Sequence, residues 1–173
     1  MWQRPSGSLY KHCYSFRVTT PDLLDSSYYG PLFGLLADMD ADIAGLYAEA
    51  GIEGVRTRFV GPMIELARSG PLTIKEIAER RSVSHSAMSQ TVAAMRKAGL
   101  VEPAADSDGR KRPVQLTDRS RELVPFLQAE WRATEATVLA LDAELPYPIM
   151  RAVADIRTAL ATRSFAQRLR EHL

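Results

Sequence analysis

Within residues 84–98, Met88, Val92 and Met95 recur at i, i+4 and i+7, and Gly99 follows. That spacing closes one apolar stripe on an α-helix and breaks the two-residue period of a strand. Ser86, Ser89, Gln90, Ala93 and Lys97 fall on the opposite side. This second face is small and hydrogen-bonding at its N-terminal end and cationic at its C-terminal end. Such a surface fits a DNA major groove, where side chains meet base edges. It equally suits a solvated amphipathic helix.

The neighbouring residues bear on that choice. Thr73 followed by Glu76 is a capping-box pattern, so a helix is predicted to start there, with Ile74, Ile77 and Ala78 as its apolar face. A short break at residues 81–83 leads to Ser84, an N-cap residue type, and so to the second helix. Two short helices joined by a tight turn make a helix-turn-helix, whose second member reads the groove. Further on, two short strands are predicted at about residues 100–104 and 111–116, joined by a turn over residues 106–109 in which Gly109 can take a positive φ. Arg110, Lys111 and Arg112 then sit at or just past the hairpin tip. A cationic hairpin beside a recognition helix is a wing, and its Arg can enter a narrow minor groove, where the negative potential is strongest.

Residues 52–124 resemble the winged helix-turn-helix of the MarR family of bacterial transcription regulators. Residues 72–78, 95–101 and 108–117 carry the likeness, in family order and spacing. The last resembles the family's wing signature: an Asp, any residue, an Arg, then Leu-Thr after five more residues. Asp108 matches the Asp that braces the wing in the family, Arg110 matches the minor-groove Arg, and Leu116 and Thr117 match the closing pair. Gly109 stands where the family often has a second basic residue, and Pro113 falls within the returning strand, which must be an edge or irregular there.

Charge distribution is consistent with this likeness. The net charge is only +1, but the stretch between Lys75 and Arg121 holds ten Lys or Arg against six Asp or Glu. Its excess of four positive charges leaves −3 for the rest of the chain. A DNA-binding module on a neutral body has this footprint, although so small an excess also arises by chance.

The flanking segments read as helices. Residues 1–21 have no helical period and form an extension of unknown role; His12 and Cys13 lie there. One Cys and three His are too few for a closed structural metal site, so Cys13 is read as an incidental thiol and no metal or cofactor is expected. A helix is predicted over about residues 26–50, with Leu32, Met39, Ile43, Leu46 and Tyr47 at helical spacing and Gly51 closing it. Asp38, Asp40 and Asp42 fan over different faces of that helix and read as a solvated acidic surface. A second helix is predicted over about residues 54–69, with Pro62 imposing a kink or a delayed start. After the wing, Thr117 caps a long helix whose face is expected to carry Leu123, Phe126 or Leu127, Trp131, Val138 and Leu141, with a bend near Pro125. Beyond the break at Leu145 to Pro148, one last helix is predicted over about residues 148–171.

The expected fold is therefore mainly α with a small β-hairpin wing. Residues 54–117 form the winged helix-turn-helix, and residues 22–53 and 118–173 form a helical dimerisation region. The outer helices are too long to serve a small winged domain alone, and exposed apolar faces need burial, so a homodimer is expected over a monomeric bundle. The resemblance also implies a two-fold dimer on a pseudo-palindromic operator. No apolar run approaches the roughly 18 residues of a membrane span, and no signal peptide is evident, so a cytoplasmic protein is expected.

Base readout is assigned to Ser86, Ser89 and Gln90, with Gln90 able to bond an adenine edge bidentately. Thr73, Arg96 and Lys97 are candidates for backbone contacts, and His85 for a phosphate contact or a structural role. Arg110 is assigned to the minor groove, with Lys111 and Arg112 on phosphates and Asp108 bracing the wing. The resemblance implies a regulator, more often a repressor, with a small aromatic effector between the dimer helices and the winged domain. Tyr47, Phe59, Met63 and Trp131 are placed near such a cleft, with ordinary core as their other assignment. A winged helix that binds only protein is the alternative function, but three consecutive wing cations argue against it. No catalytic constellation or Gly-rich cofactor loop accompanies these features, so an enzyme is not expected.

Overall fold

A computed structural model of the chain describes residues 27–104 and 112–173. They form α1 (Gly30–Glu49), α2 (Thr57–Ser69), α3 (Ile74–Arg80), α4 (His85–Lys97), β1 (Val101–Pro103), β2 (Val114–Leu116), α5 (Asp118–Glu144), α6 (Ile149–Thr162) and α7 (Phe165–Arg170). The chain divides into two compact units, Met1–Leu46 and Tyr47–Leu173. In the first, the described part is helical and exposes Phe33, Leu35 and Leu36.

The second unit holds the winged helix-turn-helix and the three C-terminal helices. α2 starts at Thr57, three residues later than expected, and continues through Pro62, so the proline does not mark the start of the helix. Starting there places Pro62 in the second turn. Phe59, Val60, Met63 and Leu66 of α2, Ile77 of α3, and Met88, Val92 and Met95 of α4 are buried. Leu100, Val114 and Leu116 close this core from the sheet, and Val124 and Leu127 close it from α5.

The sheet has one feature beyond the hairpin. β1 and β2 pair antiparallel, with Val101 opposite Leu116 and Pro103 opposite Val114. On its other side Val114 exchanges both backbone hydrogen bonds with Leu72, at 2.8 and 3.1 Å. Val114 thus directs its polar groups away from Pro103, so the missing proline N–H leaves no gap in the ladder. The returning strand begins at Val114 and not at the expected position near 111. Pro113 lies just ahead of it and uses its carbonyl to accept the Ala104 N–H at 3.1 Å.

The C-terminal region differs from expectation in two ways. The buried face of α5 is Ser120, Val124 and Leu127, with Trp131 half-buried, while Phe126, Val138 and Leu141 are exposed. Spacings of three and four define that stripe, and its burial ends about halfway along the helix because the winged core ends there. The single last helix is in fact α6 and α7, separated at Arg163 and Ser164. Ser164 and Gln167 form a capping box that starts α7, a signal present in the sequence but outweighed by the continuous apolar period. Across the proline break, Asp142 Oδ1 accepts the Ile149 N–H at 2.6 Å and so caps the start of α6.

Candidate nucleic-acid interface

The helix-turn-helix is built from two capped helices. Thr73 Oγ1 accepts the Glu76 N–H at 3.2 Å, and the Glu76 carboxylate accepts the Thr73 N–H at 2.8 Å. The Thr73 hydroxyl also donates to that carboxylate at 2.8 Å, so its proton is engaged inside the protein. Between the helices, Ser82 is the one non-glycine residue with a positive φ, 53°, among the described residues. The Val83 N–H bonds the Ala78 carbonyl and the Ser82 N–H bonds the Glu79 carbonyl. These two bonds are the Schellman pattern that ends a helix on a left-handed residue. The turn delivers Ser84, whose Oγ accepts the Ala87 N–H at 3.2 Å and starts α4.

α4 carries the two faces expected of it. Met88, Val92 and Met95 point into the core. His85, Ser86, Gln90, Ala93, Arg96 and Lys97 are exposed, and Ser89 is half-buried. Among the described residues, none of the polar members of this set makes a side-chain hydrogen bond or ion pair within the chain. Donors and acceptors on a packed helix, left without partners in the chain, are what groove readout requires. Arg96 and Lys97 occupy the last turn, where cations meet the negative end of the helix dipole.

Charge adds to the apolar core where α3 meets α2. Glu65 is almost fully buried; its carboxylate receives two bonds from Arg68, at 3.0 and 3.2 Å, and lies 3.5 Å from the Arg80 guanidinium. Arg80 also bonds the Ser69 hydroxyl, so the end of α3 is pinned to the end of α2. On the wing, Arg112 is exposed, and Gln115 Nε2 donates to Glu102 Oε1 at 3.0 Å across the hairpin. Asp108, Arg110 and Lys111 lie outside the described residues.

Of the four residues placed near an effector cleft, Tyr47, Phe59 and Met63 are buried in the core, and Trp131 lines a cavity. Tyr47 is covered by α5: its hydroxyl donates to Glu130 at 3.0 Å and its ring meets Phe126 edge-on. The cavity, about 260 Å³, lies between the start of α2, the first half of α4 and α5. Arg58, Arg81 and Trp131 are among its walls. The guanidinium of Arg81 sits 5.3 Å from the Trp131 ring centroid. Sequence reasoning missed both arginines. Arg81 lies in an inter-helix turn and 50 positions from Trp131, so no periodicity links them.

These features define a winged helix-turn-helix, with a recognition helix whose outer face is free. Residues 63–112 match the model of the MarR family. The chain is 40% identical over 76 residues to the HTH-type transcriptional repressor Rv2887 of Mycobacterium tuberculosis, covering 43% of this chain and 55% of that protein. The Mycobacterium bovis repressor Mb2911 matches with the same figures. The match thus spans about half the length of these curated relatives. The S. aureus MepR–DNA complex shares the fold, with a TM-score of 0.56 at 16% identity, over 79% of this chain and 99% of MepR. No helix among the described residues is long and apolar enough to cross a membrane.

Proposed function

We propose that this chain is a sequence-specific DNA-binding transcriptional regulator of the repressor type. The open polar face of α4, with Ser86, Ser89 and Gln90 near its start and Arg96 and Lys97 at its end, carries this reading. Ser86, Ser89 and Gln90 read base edges, and Arg96, Lys97 and His85 contact the backbone. Thr73 has its hydroxyl committed to Glu76, which leaves it a weaker backbone contact than the others. Arg110 enters the minor groove, Lys111 and Arg112 meet phosphates, and Asp108 braces the wing.

The protein acts as a homodimer on a pseudo-palindromic operator in the cytoplasm. Support comes from the apolar side chains left open on the C-terminal helices, including Leu139, Met150, Ile156 and Phe165. A second copy is the simplest cover for so many on one chain. A small aromatic ligand in the cleft beside Trp131 lowers operator affinity by favouring a non-binding spacing of the two recognition helices. A winged helix serving only a protein partner is less well supported, since it gives no use to the unpaired polar face of α4.

Selection from a randomised duplex pool near physiological salt tests the proposal. Recovery of an inverted repeat with half-sites about one helical turn apart is the expected result. Weak binding with no enriched sequence from the ligand-free dimer counts against it.

A further inference from the structure

Glu65 is the one buried charged side chain among the described residues. It sits on α2, and its carboxylate is held from two elements. Arg68, three residues further along α2, gives it two bonds. Arg80, the last residue of α3, lies 3.5 Å away and also bonds the Ser69 hydroxyl at the end of α2. Stability alone accounts poorly for this arrangement, because desolvating a carboxylate offsets most of what its ion pairs contribute. α3 already has other anchors: Ile77 and Ala78 are buried, and Thr73 and Glu76 cap its start. Apolar contacts hold a helix without fixing its direction, whereas the bonds of a planar guanidinium do fix it. With seven residues, α3 is short enough for one directed tie at its end to set its course.

We infer that Glu65 is a positioning residue for DNA reading, and that Arg80 is the side chain through which it acts. Its pairing with Arg80 directs the last turn of α3. The residues that follow are bonded back onto that turn. The Arg81 N–H meets the Ile77 carbonyl at 3.0 Å, the Val83 N–H meets the Ala78 carbonyl at 3.1 Å, and the Ser82 N–H meets the Glu79 carbonyl at 3.2 Å. Ser84, the N-cap of α4, comes next, and Ser86, Ser89 and Gln90 lie within the first two turns of that helix. Short backbone bonds thus carry the direction set at Glu65 to the side chains that face the groove. This role rests on the proposed DNA-binding function. A plain electrostatic role makes the opposite prediction. A carboxylate repels phosphate and occupies an arginine that could otherwise meet the DNA backbone, so its removal should tighten binding to every sequence.

Fluorescence-anisotropy titration of the full chain with a selected operator and with a scrambled duplex separates the two roles, at one salt concentration and well below the unfolding midpoint of each variant. Glu65→Gln keeps the shape of the side chain and removes its charge. It is expected to lose about tenfold in operator affinity, the size of one bidentate base contact, while binding the scrambled duplex at least as tightly as the native chain. Arg80→Gln should show the same operator loss with little change on the scrambled duplex. Arg68 still satisfies the Glu65 carboxylate in that variant, so Arg80→Gln decides the matter if Glu65→Gln fails to fold. In the double variant the operator loss should stay near tenfold and not reach the roughly hundredfold of two independent effects, because both changes break one contact. Operator affinity unchanged or raised in Glu65→Gln, an equal loss on both duplexes, or losses that multiply in the double variant overturns the positioning role. A native chain whose operator the variants bind equally well keeps its DNA-binding function and loses only this role. A native chain that selects no operator loses both.

Discussion

Ser120 Oγ donates a 2.7 Å hydrogen bond to the Leu100 carbonyl, from a side chain with no exposure to solvent. The same carbonyl accepts the Thr117 N–H at 3.2 Å, and the Thr117 hydroxyl donates to the neighbouring Gly99 carbonyl at 2.9 Å. The first turn of α5 is thus fastened to the residues that join the recognition helix to the wing.

Ser120→Ala removes one of the two donors to Leu100 and places no new polar group in the core. Unfolding in urea should show a loss of about 1–2 kcal/mol with an unchanged m-value. A loss below a few tenths would mean that the bond is replaced by water.

Ser82 holds a left-handed conformation that glycine adopts without strain. Ser82→Gly should raise stability by less than about 1 kcal/mol, because relief of strain is offset by the greater freedom of glycine in the unfolded chain. Thermal unfolding reads the sign. A clear destabilisation would show that the serine side chain contributes more to the turn than its backbone costs.

Gln90→Ala should weaken binding to the selected operator roughly tenfold while leaving sequence-blind DNA binding unchanged, since base contacts discriminate by about 1–3 kcal/mol. Parallel titrations with operator and with scrambled duplex separate the two effects. Equal weakening on both duplexes would reassign Gln90 to the phosphate backbone.

Arg110→Ala should leave the fold intact and reduce the salt dependence of operator binding. The slope of log affinity against log salt should fall by roughly 0.9 for one lost phosphate-type contact. An unchanged slope removes Arg110 from the interface.

Local chemistry determined much of this architecture from sequence. The cap at Thr73, the stripe of Met88, Val92 and Met95, and the turn into Ser84 involve residues within a few turns of one another. Capping bonds and helical periodicity act over that range, so their pattern is written in adjacent positions. The outer face of α4 was legible for the same reason: whatever is not on the buried stripe faces out. The misplaced parts arose where local signals compete. Pro62 suggested a kink or a late start, yet α2 begins at Thr57 and runs through the proline, with Phe59 and Met63 on either side of it buried in the core. The apolar period after residue 148 concealed the cap at Ser164.

Tertiary structure alone decided the pairings between distant residues. The burial of Tyr47, Phe59 and Met63 depends on which elements cover them, and a helical period cannot distinguish a core residue from one on a cleft wall. The bridge from Leu72 to Val114 explains why Pro103 is tolerated in a strand, yet it joins positions 42 apart. Arg81 meets Trp131 while its guanidinium lies beside Gly61 of α2, where a Cβ would stand 2.8 Å from it. Such contacts are set by the packing of whole helices, and a chain read one turn at a time does not contain them.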